Sequence, residues 1–123
     1  MTFSEKLDTK TKQITDLLKS KNKAYGNSAL EPANIFSQAD AIDSLSARID
    51  DKLMRIKNKG IYDATEDTVC DLVGYLLLLL MAIEDKDKDE YESFKEILNM
   101  GGHVNINGRP INSVEALDNH FKK

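Results

Sequence analysis

Twelve consecutive residues, 72–83, carry no charge, and acids close the run on both sides at Asp71 and Glu84. Five leucines, Leu76 to Leu80, sit at its centre. A membrane span needs about twenty such residues, so a bilayer is the wrong solvent for this run. A helix that is apolar on every side must instead be surrounded by protein. The run therefore predicts a buried central helix over about 64–84, with other helices packed around it.

The rest of the chain supplies those helices. Phe3, Leu7, Ile14, Leu17 and Leu18 recur at helical spacing and predict a first helix over 4–20. Gly26, Asn27, Ser28 and Pro32 mark 21–33 as a loop. Ile42, Leu45, Ile49, Leu53 and Ile56 form one stripe at steps of three and four, so a second helix is expected over 33–59, stopped at Gly60. Asp63 and Glu66 have capping-box spacing and open the third helix. The acidic run 84–92 reads as a solvated turn and the start of a fourth helix over 87–100, with Tyr91, Phe94, Ile97 and Leu98 as its buried face. Val104, Ile106 and Ile111 flank Asn107-Gly108, a short-hairpin signal, and Asn112 with Glu115 opens a last short helix to Phe121. The expectation is an all-α, four-helix bundle-like core over 1–100, with a hairpin-helix appendix over 101–123 packed on the same domain. Two prolines and six glycines in 123 residues suit helices better than many short strands.

Composition bounds the function. Hydrophobic residues at 41% and charged residues at 31% make a globular mixture. A net charge of −4 excludes bulk electrostatic binding of nucleic acid but leaves room for a local basic site. The single cysteine, Cys70, cannot close an internal disulfide and reads as an inert, buried thiol. The first twelve residues lack the apolar segment of a leader, so a cytoplasmic protein is expected. His103 and His120 lack metal-ligand spacing.

Three features carry possible chemistry. Asp71 sits in an otherwise oily helix, and an unpaired buried carboxylate costs several kcal/mol. Asp67, four residues earlier, shares its face. A Mg²⁺ ion between the two would reverse their repulsion; salt bridges to the basic side chains of the second helix would do so too. On that second helix Arg48, Lys52, Arg55 and Lys59 line one flank of the apolar stripe, as a phosphate site or as a solvated edge with Asp51 paired to Arg55. The loop at 21–28 combines Lys21 and Lys23 for phosphate, Tyr25 for stacking on a base and Gly26 for close backbone approach; the alternative is a helix C-cap at Gly26 with Tyr25 packed.

The ordered set of residues 21–28 (Lys-Asn-Lys-Ala-Tyr-Gly-Asn-Ser), 48–55 (Arg-Ile-Asp-Asp-Lys-Leu-Met-Arg) and 66–75 (Glu-Asp-Thr-Val-Cys-Asp-Leu-Val-Gly-Tyr) resembles the first type of the phage and bacterial nucleotide modification associated domain family, over about residues 13–82. The resemblance implies an all-α fold and a nucleotide ligand, and it points to Lys23, Tyr25, Gly26, Arg48, Asp51, Lys52, Arg55, Asp67 and Asp71. More distantly, 66–80 is similar to the last motif helix of MazG-like nucleoside triphosphate pyrophosphohydrolases. The chain departs from that pattern: Thr68 stands three before Asp71, and Asp50 and Asp51 replace the paired glutamates of the preceding helix.

Three functions follow as expectations. In the first, the protein is a Mg²⁺-dependent nucleotide pyrophosphohydrolase-like enzyme. Asp67 and Asp71, with Asp51 or Glu66, would hold the metal; Arg48, Lys52 and Arg55 would neutralise the phosphates; Lys23, Tyr25 and Gly26 would also bind the substrate. In the second, a non-catalytic phage protein binds or sequesters a nucleotide. In the third, a helical module meets its partner through the appendix. A homo-oligomer would finish covering the apolar third helix.

Overall fold

The computed structural model describes residues 1–34 and 39–122. The chain is mostly helical, with a small antiparallel hairpin near the C-terminus. Helix α1 spans Phe3–Tyr25, α2 Ala41–Lys59, α3 Thr68–Asn99 and α4 Val114–Phe121; strands β1 (Val104–Ile106) and β2 (Arg109–Ile111) lie between α3 and α4. The contacts divide the chain into two compact units, Met1–Ala82 and Ile83–Lys123. No helix among the described residues is long and apolar enough to cross a membrane.

In the first unit, Thr2 and Glu5 form a reciprocal capping box that starts α1. The helix runs on through Lys21–Tyr25, where a loop was expected, because no residue there breaks it. Gly26 stops it in the left-handed region at φ 61°, donating its N–H to the Asn22 carbonyl. Asp40 caps α2 by accepting from the Asp43 amide at 2.8 Å. The second helix therefore begins at Ala41 and not at residue 33; residues 35–38 of the expected helix lie outside the described residues.

The third helix also starts later than its expected signal. Asp63 does not form a capping box with Glu66. Its Oδ1 accepts from the amide and hydroxyl of Thr65 at 2.9 and 2.6 Å, making a local turn. Asp67 lies just before the helix instead, and its Oδ1 accepts from the Cys70 amide at 3.2 Å. Glu66 is left free to reach α2.

Two expectations about α3 are corrected. The expected turn near 84–92 is helix: no glycine or proline interrupts the segment, and Glu84 with Lys88 and Lys86 with Glu90 stand at i,i+4. Helices three and four are thus one element of 32 residues. Nor is the helix buried all round. Thr68, Gly74 and Ala82 are its buried residues, while Val69, Val73, Leu76, Leu77, Leu80 and Met81 remain exposed. Neighbouring helices cover one side of it only.

The second unit has its own core. The Asn107-Gly108 turn has φ 53° and 80°, both positive as a type I′ hairpin requires, and pairs Val104 with Ile111. Val104, Ile111 and Leu117 are buried, with Tyr91, Phe94, Leu98 and Phe121 packed against them. Tyr91 meets Phe121 edge-on with centroids 5.7 Å apart, and its hydroxyl donates to Asp118. Ile97, expected on the buried face, stays 42% exposed. Helix α3 ends in a Schellman motif: Gly102 N–H donates to the Ile97 carbonyl at 2.9 Å and Gly101 N–H to Leu98 at 3.1 Å. Ser113, rather than Asn112, caps α4 by accepting from the Ala116 amide.

Candidate functional site

A cleft of about 440 Å³ opens within the first unit. Helix α1 contributes Ile14, Leu17, Leu18, Lys21, Asn22 and Tyr25. Helix α2 contributes Ser44, Leu45 and Arg48, and α3 contributes Cys70, Asp71, Gly74, Tyr75 and Leu78. Ser28, Ala29, Pro32, Ala33 and Asn34 close one wall. The α3 residues fall at steps of three and four, so one helical face supplies them all. Gly74 allows α1 to come close: a Cβ there would stand 3.2 Å from Leu18 Cδ2. The cleft thus combines apolar side chains with the polar and charged groups of Lys21, Asn22, Ser28, Asn34, Ser44, Arg48 and Asp71, and its volume suits a small molecule.

Asp71 of α3, with Glu66 and Asp63 from the segment before it, faces the cationic side of α2, whereas Asp67, expected to share that role, is exposed and pairs with no α2 side chain among the described residues. Lys52 Nζ lies 3.1 Å from Asp71 Oδ2 and also pairs with Glu66. Arg55 Nε is 2.7 Å from Asp63 Oδ2 and 3.2 Å from Glu66 Oε2, and Arg55 also donates to Thr65 at 2.7 Å. Two cations and three carboxylates thus alternate along the seam between α2 and the segment leading into α3. The Glu66 carboxylate, with help from Asp71, holds the Lys52 ammonium above its ordinary pKa. Donation from Thr65 and, next, from Arg55 holds Asp63 down at about 2. On the cleft side, Lys21 Nζ approaches Asp71 Oδ1 at 3.9 Å. Burial, together with the Asp67 and Asp71 charges, pushes the Cys70 thiol up, so it is a poor nucleophile.

Of the residues singled out in the sequence, Lys21, Tyr25, Arg48 and Asp71 line the cleft. Lys52 stands behind Asp71, and Arg55 anchors the 63–66 segment. Gly26 is the cap of α1, and Lys23 lies exposed in the last turn of that helix. Asp67 caps α3, and Asp51 is exposed on α2. Asn22, Ser44, Cys70 and Tyr75 also line the cleft, though no site role was assigned to them. A signal for Tyr75 existed: it stands four residues after Asp71, on the same helical face.

These donors do not make a ready Mg²⁺ site. Both Asp71 oxygens already face ammonium groups, and one Asp67 oxygen is engaged by a backbone amide. Among the described residues, no group of three or more His, Cys, Asp and Glu side chains is placed to hold a metal ion. A divalent ion at Asp71 would have to displace Lys52.

Arg48 differs from its neighbours on α2. It lines the cleft and forms no ion pair or side-chain hydrogen bond among the described residues. Its guanidinium offers five donors to an incoming acceptor.

Comparison with models of protein families, with curated proteins and with solved structures finds no match to this chain. The site's geometry therefore carries the functional reading.

Proposed function

We propose that the first unit binds a nucleotide or nucleotide-derived small molecule in the α1–α2–α3 cleft. The observation that carries this reading is Arg48, whose guanidinium lines the cleft with no ion pair or side-chain hydrogen bond among the described residues. A ligand that satisfies both the guanidinium and the apolar side chains needs a flat, weakly polar part and an anionic part. Nucleotides have that division. The ring would lie against Leu17, Leu45 and Leu78, with the Tyr25 and Tyr75 rings beside it. The phosphate would take forked hydrogen bonds from Arg48 and share Lys21 with Asp71. The ordered resemblance in 21–28, 48–55 and 66–75 supports the same ligand class, since each stretch contributes to the cleft wall or to the network behind it.

Binding without turnover is the form that the geometry favours, because Asp71 is neutralised by Lys52. A thermal-shift screen of nucleoside mono-, di- and triphosphates, with and without Mg²⁺, tests the reading. At least one nucleotide should raise the melting temperature of the wild-type chain, and the shift should vanish in Arg48→Ala. If no nucleotide shifts it, the proposal fails. Assaying the same mixtures for released phosphate or pyrophosphate separates binding from hydrolysis. Mg²⁺-dependent product that disappears in Asp71→Asn would make the protein an enzyme.

A further inference from the structure

Helix α3 has two sides within the first unit. One carries Asp71, Gly74, Tyr75 and Leu78 and lines the cleft. The other carries Val69, Val73, Leu76, Leu77, Leu80 and Met81, which are 39–54% exposed. At about 100° per residue these six side chains occupy an arc of roughly 140°. Val69, Val73, Leu76 and Leu80 follow one another at steps of four, three and four, the spacing of a coiled-coil seam. We propose that this face is the interface of a homodimer, with α3 of one copy packed antiparallel against α3 of a second.

Three observations select a second copy as the occupant. The face is neutral: from Thr68 to Ile83 the one charged residue is Asp71, which is paired on the other side. A chain of net charge −4 can therefore meet itself here without like charges opposing. The face is also self-complementary in shape. The smaller Val69 and Val73 stand at its N-terminal end and the larger Leu80 and Met81 at its C-terminal end, so an antiparallel two-fold sets small against large twice. The six side chains leave roughly 500 Å² per copy, about 1,000 Å² for a pair, which stands at the lower bound for a biological interface before the flanking residues add to it. Beyond it, Glu84 and Asp85 place acids where an anionic lipid surface would repel them.

Sedimentation equilibrium of the full chain tests this. The wild-type protein should have a mass about twice 13.8 kDa. Leu76→Glu and Leu80→Glu, both at exposed positions, should each sediment as one chain while keeping the wild-type far-ultraviolet helical signal. A wild-type chain that stays at 13.8 kDa at concentrations on the order of 100 µM overturns the proposal. So does a dimer that survives both substitutions. Co-sedimentation of a monomeric wild-type chain with phosphatidylcholine vesicles would assign the face to lipid instead.

Discussion

Lys52 Nζ on α2 lies 3.1 Å from Asp71 Oδ2 on α3 and pairs at the same time with Glu66. One ammonium group thus bridges two carboxylates, and each of the three side chains is no more than 27% exposed. This places a settled charge next to the unsettled one at Arg48, and it ties α2 to α3 beside the cleft.

Replacing Lys52 by Met keeps the stem and removes the charge. Glu66 and Asp71 would then be left partly buried with one partner fewer. Loss of a charge-assisted contact of this kind costs about 1–3 kcal/mol, and residual solvent places this site in the lower half of that range. Urea denaturation should show the midpoint falling with the m-value unchanged. The raised Lys52 pKa also predicts a pH effect. Its contribution is fully present below the unfolded value of about 10.5 and is lost as pH rises through the folded pKa. The stability difference between wild type and Lys52→Met should therefore shrink in alkaline solution above that value.

Asp63 works at the other end of the pH scale. Its carboxyl is held at about 2 by Thr65 and Arg55. A depressed pKa stabilises the fold above the unfolded value of about 4, and the benefit is lost as pH falls towards the folded value. Between about pH 4 and 2, wild type should lose stability more steeply than Asp63→Asn. Parallel acid limbs for the two proteins would contradict this.

Cys70 lines the cleft and has a raised pKa. Alkylation by iodoacetamide near neutral pH should be slower than for an unhindered thiol, and the midpoint of its pH–rate profile should lie above that of a free thiol. A nucleotide in the cleft should slow it further. An unchanged rate with saturating ligand would put the ligand elsewhere.

Gly74 separates two magnitudes. An alanine Cβ would sit 3.2 Å from Leu18 Cδ2, which asks Leu18 to move by a few tenths of an ångström. The helix gains about 1 kcal/mol from Gly→Ala, so the net change in stability should be small. Gly74→Leu overfills the α1–α3 contact and should cost about 1–3 kcal/mol. Melting curves of the two variants should therefore differ, with the leucine variant lower.

Local chemistry was the most legible part of the sequence. The Asn107-Gly108 hairpin stands where its neighbouring residues place it, whereas the α2 stripe is met in part: Leu45 is buried and Leu53 is 50% exposed. The end of α1 was misplaced because Gly26, not Lys21, is the first residue that can stop it. The join at 84–92 was misread because charge density was taken for a turn, although alternating acids and lysines also sustain a helix. The charge on Asp71 correctly demanded a partner, and spacing alone left metal and lysine as rivals; the geometry supplies Lys52. The cleft residues Asn22, Ser44 and Tyr75 depend on how three helices cross, which periodicity does not encode. The bare face of α3 meets the same limit: the sequence led to the expectation that a second copy would finish covering this helix, but not which of its sides the chain's own helices leave open.

Calorimetric titration of the nucleotide identified by the thermal screen into wild type and Arg48→Ala tests the central claim most directly. The account predicts saturable binding to wild type and about 10- to 100-fold weaker binding to the variant, as expected for loss of a charge-assisted forked contact. Equal affinity for the two proteins would contradict it.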